Sequence, residues 1–206
     1  MLWDVAFDRL SPKFKKRSLS CSLLLITYRY HTKVSSWCSR KVIIINKDMS
    51  IAQQRLAEER KELRKDIPRG FYARPTMNAD GSANLMLWQA GIRGKDGTDW
   101  EGGLFQCSLI FSEEYPSKAP LVKFVPCLFH VNIFSTGNVC LDILNANWSS
   151  SIKIKDLLIS LQTLLSEPNS LHSTDRPEIS TLHRKNPLEY AKRVKEQTKK
   201  FIPKDE

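Results

Sequence analysis

The chain has 206 residues, 41% of them hydrophobic and 26% charged, and a net charge of +10, which allows one apolar core plus an appendage. Its five cysteines (Cys21, Cys38, Cys107, Cys127 and Cys140) are odd in number, with no CxxC pair and no zinc-ligand spacing. That pattern speaks against a disulfide framework or a metal site and for a reducing compartment with free thiols. The charge is uneven: residues 1–48 hold ten Lys and Arg against three acids, and residues 49–206 hold 22 against 19. The second part is only mildly basic, so direct nucleic-acid binding is not expected.

Residues 1–48 contain no acid between Arg9 and Lys47, and their apolar run Cys21–Tyr28 is too short to span a bilayer, which needs ~20 residues. The segment has features of a weak signal peptide and of a transit peptide, set against a poorly ordered basic extension ahead of Met49. The extension is the reading adopted, because Met49 directly precedes a helix signal. That helix is expected from Ser50, which can cap it, to about Ile67, with Ala52, Leu56, Leu63 and Ile67 as its apolar stripe. Arg60, Lys61, Arg64 and Lys65 cluster on another face; they are either a solvated surface or a docking patch for an acidic partner. Pro68 and Gly70 end the helix.

Four strands follow, at Phe71–Pro75, Asn84–Ile92, Leu104–Phe111 and Val122–Val125, joined by hairpin-length links that imply an antiparallel meander. A loop of roughly 25 residues then runs through Cys140, a length that is uncommon without a function. Ser135, Thr136, Gly137 and Asn138 read as its turn. Cys140 is either a buried structural thiol or a nucleophile, and Asn132, eight residues earlier, either supports the loop or donates to an oxyanion. Ile154, Leu157, Leu158, Leu161, Leu164 and Leu165 make the most buried helix, ended by Glu167–Asn169. A last helix is expected from about Pro187 to Phe201, with Leu188, Ala191, Val194, Thr198 and Phe201 facing inward. The fold class is therefore α+β: an N-terminal helix, a four-stranded antiparallel meander, an active-site loop and C-terminal helices on one sheet face.

Collinear motifs across residues 49–206 resemble the ubiquitin-conjugating enzyme family, closest to its SUMO-conjugating members. They are Arg55–Lys61 (RLAEERK), Asn84–Trp88 (NLMLW), Gly94–Gly103 (GKDGTDWEGG), Tyr115–Lys118 (YPSK), Phe129–Asn132 (FHVN), Val139–Leu144 (VCLDIL) and Glu167–Asn169 (EPN). The resemblance implies one catalytic domain in which Cys140 accepts a modifier as a thioester from an activating enzyme and passes it to a lysine amine. Asn132 would stabilise the oxyanion and support the loop, and His130 would be structural. The resemblance implies no bound cofactor or metal, since ATP is used upstream by the activating enzyme. It implies SUMO or ubiquitin, the activating enzyme, ligases and substrate proteins as partners, with no membrane, and a nuclear and cytoplasmic location. Arg60, Lys61, Arg64 and Lys65 would receive the activating enzyme.

Departures from the family pattern cluster near the cysteine. Val131 replaces the proline of His-Pro-Asn, Phe134 replaces a tyrosine, and Asp142 with the short run to Trp148 resembles the ubiquitin enzymes. The Asp-Pro step after Glu167–Asn169 is missing, leaving the lysine-orienting acid between His172 and Asp175. Leu121 occupies the place of a substrate-reading lysine, with Lys123 nearby. Phe134, Asp142, Asp175 and Lys123 are thus the candidate lysine-orienting or substrate-groove residues. Three functions are weighed on these residues: a SUMO-conjugating enzyme, a ubiquitin-conjugating enzyme, and a catalytically weakened variant acting as a binding module.

Overall fold

A computed structural model describes residues 49–169 and 174–203. The N-terminal extension and His172 lie outside the described residues. Helix α1 (Ile51–Leu63) begins in a capping box: Gln53 N–H donates to Ser50 Oγ, and Ser50 N–H donates to Gln53 Oε1, both at 3.2 Å. The helix ends at Leu63, short of the expected Ile67. Pro68 disfavours the helical conformation at the residue before it, and the Lys65 and Asp66 amides both turn back onto Glu62 O. Ile67 leaves the helix yet still packs on the core.

Strands β1 (Tyr72–Met77), β2 (Ala83–Arg93), β3 (Leu104–Ile110) and β4 (Leu121–Phe124) form one antiparallel sheet in the order β1-β2-β3-β4, as the meander pattern predicts. β1 starts and ends later than expected. Its register with β2 shifts between Pro75 and Thr76, where a proline without an N–H is tolerated on an edge strand. In β3, Phe105, Cys107 and Leu109 are buried while Gln106 and Ile110 face out, the period-two signature of a sheet covered on one face.

Helix α2 (Ile154–Ser166) buries the six expected side chains, and it packs with α1 on β2. One position of the α1 stripe is not apolar. Glu59 is buried beside Ala52, Leu56 and Leu63. Its carboxylate accepts from Arg55 Nε and Tyr115 Oη, both at 2.6 Å, and from Ile154 N at 2.7 Å. The carboxylate thereby ties α1, the segment before β4 and the start of α2 together. A buried carboxylate is tolerable only when it is bonded in this way.

Two corrections concern the C-terminal part. Helix α3 (Pro177–Lys185) precedes α4 (Pro187–Thr198), and a short 3-10 turn covers Lys199–Phe201. α3 has nine residues and buries only Ile179, so it is too short to hold by itself and is stabilised by tertiary contact. In α4 the buried residues are Tyr190, Val194 and Thr198, whereas Leu188 is 82% exposed. Asn186 caps the helix at Glu189 N–H, and the buried stripe runs through Tyr190, Val194 and Thr198 at spacings of four, which leaves Leu188 on the outer side of the first turn. Among the described residues, no helix is long and apolar enough to cross a membrane.

Candidate active site

The segment from Phe129 to Trp148 is irregular, yet its backbone is densely bonded. His130 is fully buried, and its Nδ1 accepts from Asn132 N–H at 3.0 Å. The ring proton therefore sits on Nε2, which donates to Leu164 O at 3.0 Å. Burial pushes the His130 pKa down to about 4, with His183 and Arg176 acting in the same direction, so the ring is neutral at pH 7. It pins the loop to α2.

Asn132 is also fully buried. Its Nδ2 donates to Asn169 O at 2.7 Å and its Oδ1 accepts from Asn169 N–H at 2.8 Å, while its backbone O accepts from Cys140 N–H at 2.8 Å. The loop-support role is thus drawn in hydrogen bonds. Val131, which lacks the φ restriction of proline, is buried, and its carbonyl accepts from Thr174 Oγ1 at 3.2 Å.

Between Asn132 and Cys140 the chain makes a small hairpin. Ile133 bridges Val139, Phe134 N–H donates to Asn138 O, and Gly137 N–H donates to Phe134 O. Gly137 has φ +87°, and a Cβ there would come within 2.5 Å of Phe124 O; only glycine fits that close approach. Phe124 N–H donates to Gly137 O, Val139 N–H donates to Val122 O, and Lys123 bridges Asn138. The hairpin is thereby laid along β4, and Cys140 emerges at its end.

Cys140 is half-buried. Desolvation raises its thiol pKa, and the neighbouring Asp142 adds to the effect. A thiol of raised pKa is a slower leaving group. Asp142 opens a 3-10 turn, Asp142–Leu144, that receives Asn145 and Asn147 N–H on Asp142 O. The short run then closes on Trp148, whose Nε1 donates to Pro116 O at 2.8 Å.

The hairpin gathers several candidates. Lys123 lies beside Asn138, and Phe134 is half-buried with its carbonyl accepting from Cys127 Sγ at 3.2 Å. Asp175 binds Ser135. Arg60, Lys61, Arg64 and Lys65 lie apart from the hairpin, on and just beyond the last turn of α1. Arg60 is half-buried and the other three are exposed. The acids of that turn point to the start of α2: Glu62 pairs with Lys153 at 2.8 Å and Asp66 pairs with Lys155.

Three features escape a reading of the sequence. Asn169 and Ser135 are bonded to residues 37 and 40 positions away, and no local pattern encodes such partners. The third is an open apolar groove of about 540 Å³ between the Cys140 loop and α2, lined by Leu141, Ile143, Ile152, Ile159 and Leu164. Ile159, 41% exposed and off the buried stripe of α2, is the one sequence signal that could have pointed to it.

The ubiquitin-conjugating enzyme family model matches residues 55–198. A SUMO-conjugating enzyme of Arabidopsis thaliana is 47% identical over 155 residues, covering 73% of this chain and 95% of that protein. A SUMO-conjugating enzyme of Caenorhabditis elegans is 46% identical over 153 residues, covering 73% and 92%. One of Dictyostelium discoideum is 46% identical over 155 residues, covering 74% and 97%.

Proposed function

The chain belongs to the ubiquitin-conjugating enzyme family, and we propose that it is a SUMO-conjugating enzyme with Cys140 as its thioester carrier. The observation that carries this reading is the half-exposed Cys140 thiol at the end of a hairpin braced by Asn132, in a chain 46–47% identical to SUMO-conjugating enzymes. In the charging step Cys140 Sγ attacks the SUMO thioester of the activating enzyme, and the activating enzyme's thiol leaves. In the discharge step a lysine amine attacks the same carbonyl carbon, an isopeptide bond forms, and Cys140 Sγ departs and regains a proton.

Negative charge builds on the carbonyl oxygen during both attacks. Asn132 is assigned a second role as the amide donor to that oxygen, which requires its buried Nδ2 to turn from Asn169 O toward the thioester during the attack. The groove at Leu141, Ile143 and Ile159 suits an extended, partly apolar tail of the modifier. Arg60, Lys61, Arg64 and Lys65 suit an acidic surface of the activating enzyme, and Phe134, Asp142, Asp175 and Lys123 frame the approach of the substrate lysine. Ligases are expected to dock on the same domain.

The test is incubation with ATP, either SUMO or ubiquitin, and the matching activating enzyme, followed by non-reducing gels. A thiol-sensitive adduct with SUMO is expected, and Cys140→Ser should convert it to a thiol-resistant ester. An adduct with ubiquitin alone, or none with either, overturns the reading.

A further inference from the structure

The outer face of the sheet carries an apolar row that runs to Cys140. Lys123 bridges Asn138, Val139 N–H donates to Val122 O at 3.1 Å and Phe124 N–H donates to Gly137 O at 2.9 Å. One further step of this antiparallel register sets Cys140 beside Leu121. Val122 and Val139 are buried, whereas Leu121 is exposed and Cys140 half-buried, so Leu121 and Cys140 share the outward face. Within the sheet Leu121 pairs with Ile110, and Ile110 pairs with Leu87. These three alternate with the buried Trp88, Leu109 and Val122, so they turn away from the helices. Leu121 is 49% exposed and Ile110 39%. Single apolar side chains on a surface are ordinary, but neighbours across adjacent strands make a continuous patch. The flanking row of Asn138, Lys123, Ser108 and Gln89 is polar, so the apolar strip is bounded on that side and ends at the thiol.

We propose that this row determines acceptor specificity: Leu121 and Ile110 receive an apolar side chain of the segment that carries the acceptor lysine, and acceptors with such a neighbour are the favoured substrate class. The proposal rests on Cys140 being the thioester carrier. The occupant follows from position, since whatever brings an amine to the Cys140 thioester lies at the end of this row. Adjacent strands are about 4.8 Å apart, which puts Ile110 roughly 10 Å from Cys140. An extended segment advances about 3.3 Å per residue, so a side chain about three positions from the lysine lies over Ile110. Closing it onto Leu121 and Ile110 takes apolar surface of both partners out of water. The row takes no part in the exchange of bonds at the thioester. It holds the acceptor, and so acts on the acceptor's KM.

The experiment charges the full chain with SUMO and follows discharge to peptides that hold one lysine in a Gly and Ser background. Each peptide carries a single Leu at one of the four positions on either side of the lysine, and a second set carries Glu in its place. Leu at one of these positions is expected to raise kcat/KM about tenfold over the plain peptide, mainly through KM. Ile110→Ser, one strand removed from the strand beside Cys140, should lose that gain. Charging and discharge to hydroxylamine, a small nucleophile, report whether Cys140 itself is intact in the variant. Leu121→Ser should also lose the gain, and Leu121→Met, which keeps an apolar side chain, should retain most of it.

Equal rates for all Leu peptides overturn the proposal, as does a Leu gain that survives both Ser variants. A gain from Glu alone, lost in Lys123→Gln, would hand acceptor reading to the polar row and overturns it too. An equal fall of charging, hydroxylamine and peptide rates in Ile110→Ser marks a general structural role and counts against it in the same way. Self-association that Ile110→Ser abolishes, with the peptide profile unaltered, would assign the row to a second copy of the chain instead. Failure of the unaltered chain to charge is a different result: it removes the Cys140 reading itself, and this reading of its acceptors with it.

Discussion

Asn132 and Asn169 exchange two hydrogen bonds, side-chain Nδ2 to backbone O at 2.7 Å and backbone N–H to side-chain Oδ1 at 2.8 Å. This pairing welds the chain after α2 to the loop that carries Cys140. Asn132→Ala breaks both bonds and leaves the Asn169 backbone groups without these partners, at a cost of about 1–3 kcal/mol in denaturation experiments. Charging should survive in the folded variant, and discharge to lysine should slow by ~10²–10³-fold. Equal discharge in Asn132→Ala and the unaltered chain would leave Asn132 with loop support alone.

Glu59 fills a position that the helical period assigns to an apolar side chain. Its carboxylate is shared by Arg55, Tyr115 and Ile154. Glu59→Ala leaves the buried donors of Tyr115 and Ile154 and the half-buried Arg55 charge unpaired, and should cost about 3–5 kcal/mol. Tyr115→Phe removes one donor and should cost about 1–2 kcal/mol. Calorimetry of the two variants checks the ranking.

His130 makes stability depend on pH in a definite window. Its folded pKa is about 4 against an ordinary value of 6.5, so between these values the unfolded chain binds the extra proton. Its contribution is complete above pH 6.5 and is lost progressively as pH falls toward 4, by about 3 kcal/mol in all. Asp175 and Glu62, whose folded values are lowered, lose their contributions in a separate, more acidic window. Urea midpoints at successive pH values should therefore slope between pH 7 and 4, and His130→Gln should flatten that part of the curve.

The three described cysteines should differ in reactivity. Cys107 is buried and its thiol is pushed up to about 12, Cys127 is exposed, and Cys140 is half-buried with a raised pKa. Alkylation followed by peptide mapping should label Cys127 first, Cys140 more slowly and Cys107 last. Asp142→Asn removes the charge that opposes the Cys140 thiolate, and should speed both alkylation and charging at Cys140. An unchanged alkylation rate in that variant would show that desolvation alone governs the thiol.

On the cationic end of α1, Arg64→Glu and Lys65→Glu should raise the concentration of activating enzyme needed for charging. They should change stability by no more than about 0.5 kcal/mol, since both side chains are exposed. Added salt should narrow the difference between variant and unaltered chain.

Local chemistry was enough to read the elements of this protein. The Ser50 cap, the period-two alternation of β3, the apolar stripe of α2 and the turn residues Ser135–Asn138 all act through neighbours a few positions away, so periodicity and turn propensity report them. The position of Cys140 on a long loop is legible for the same reason. Tertiary structure alone decided what surrounds these elements. Leu188 points outward because packing selects the stripe Tyr190, Val194 and Thr198 of α4, and α3 is too short to hold without the contacts of the folded chain. Glu59 is tolerable in the core because Tyr115 Oη reaches it from 56 positions away, and the Cys140 hairpin is held by Asn169 and Asp175 across 37 and 40 positions. A bond between distant residues leaves no periodic trace in either segment, since each partner obeys only its own local rules until the chain folds. The candidate cysteine could therefore be read from the sequence, while the contacts that surround it could not.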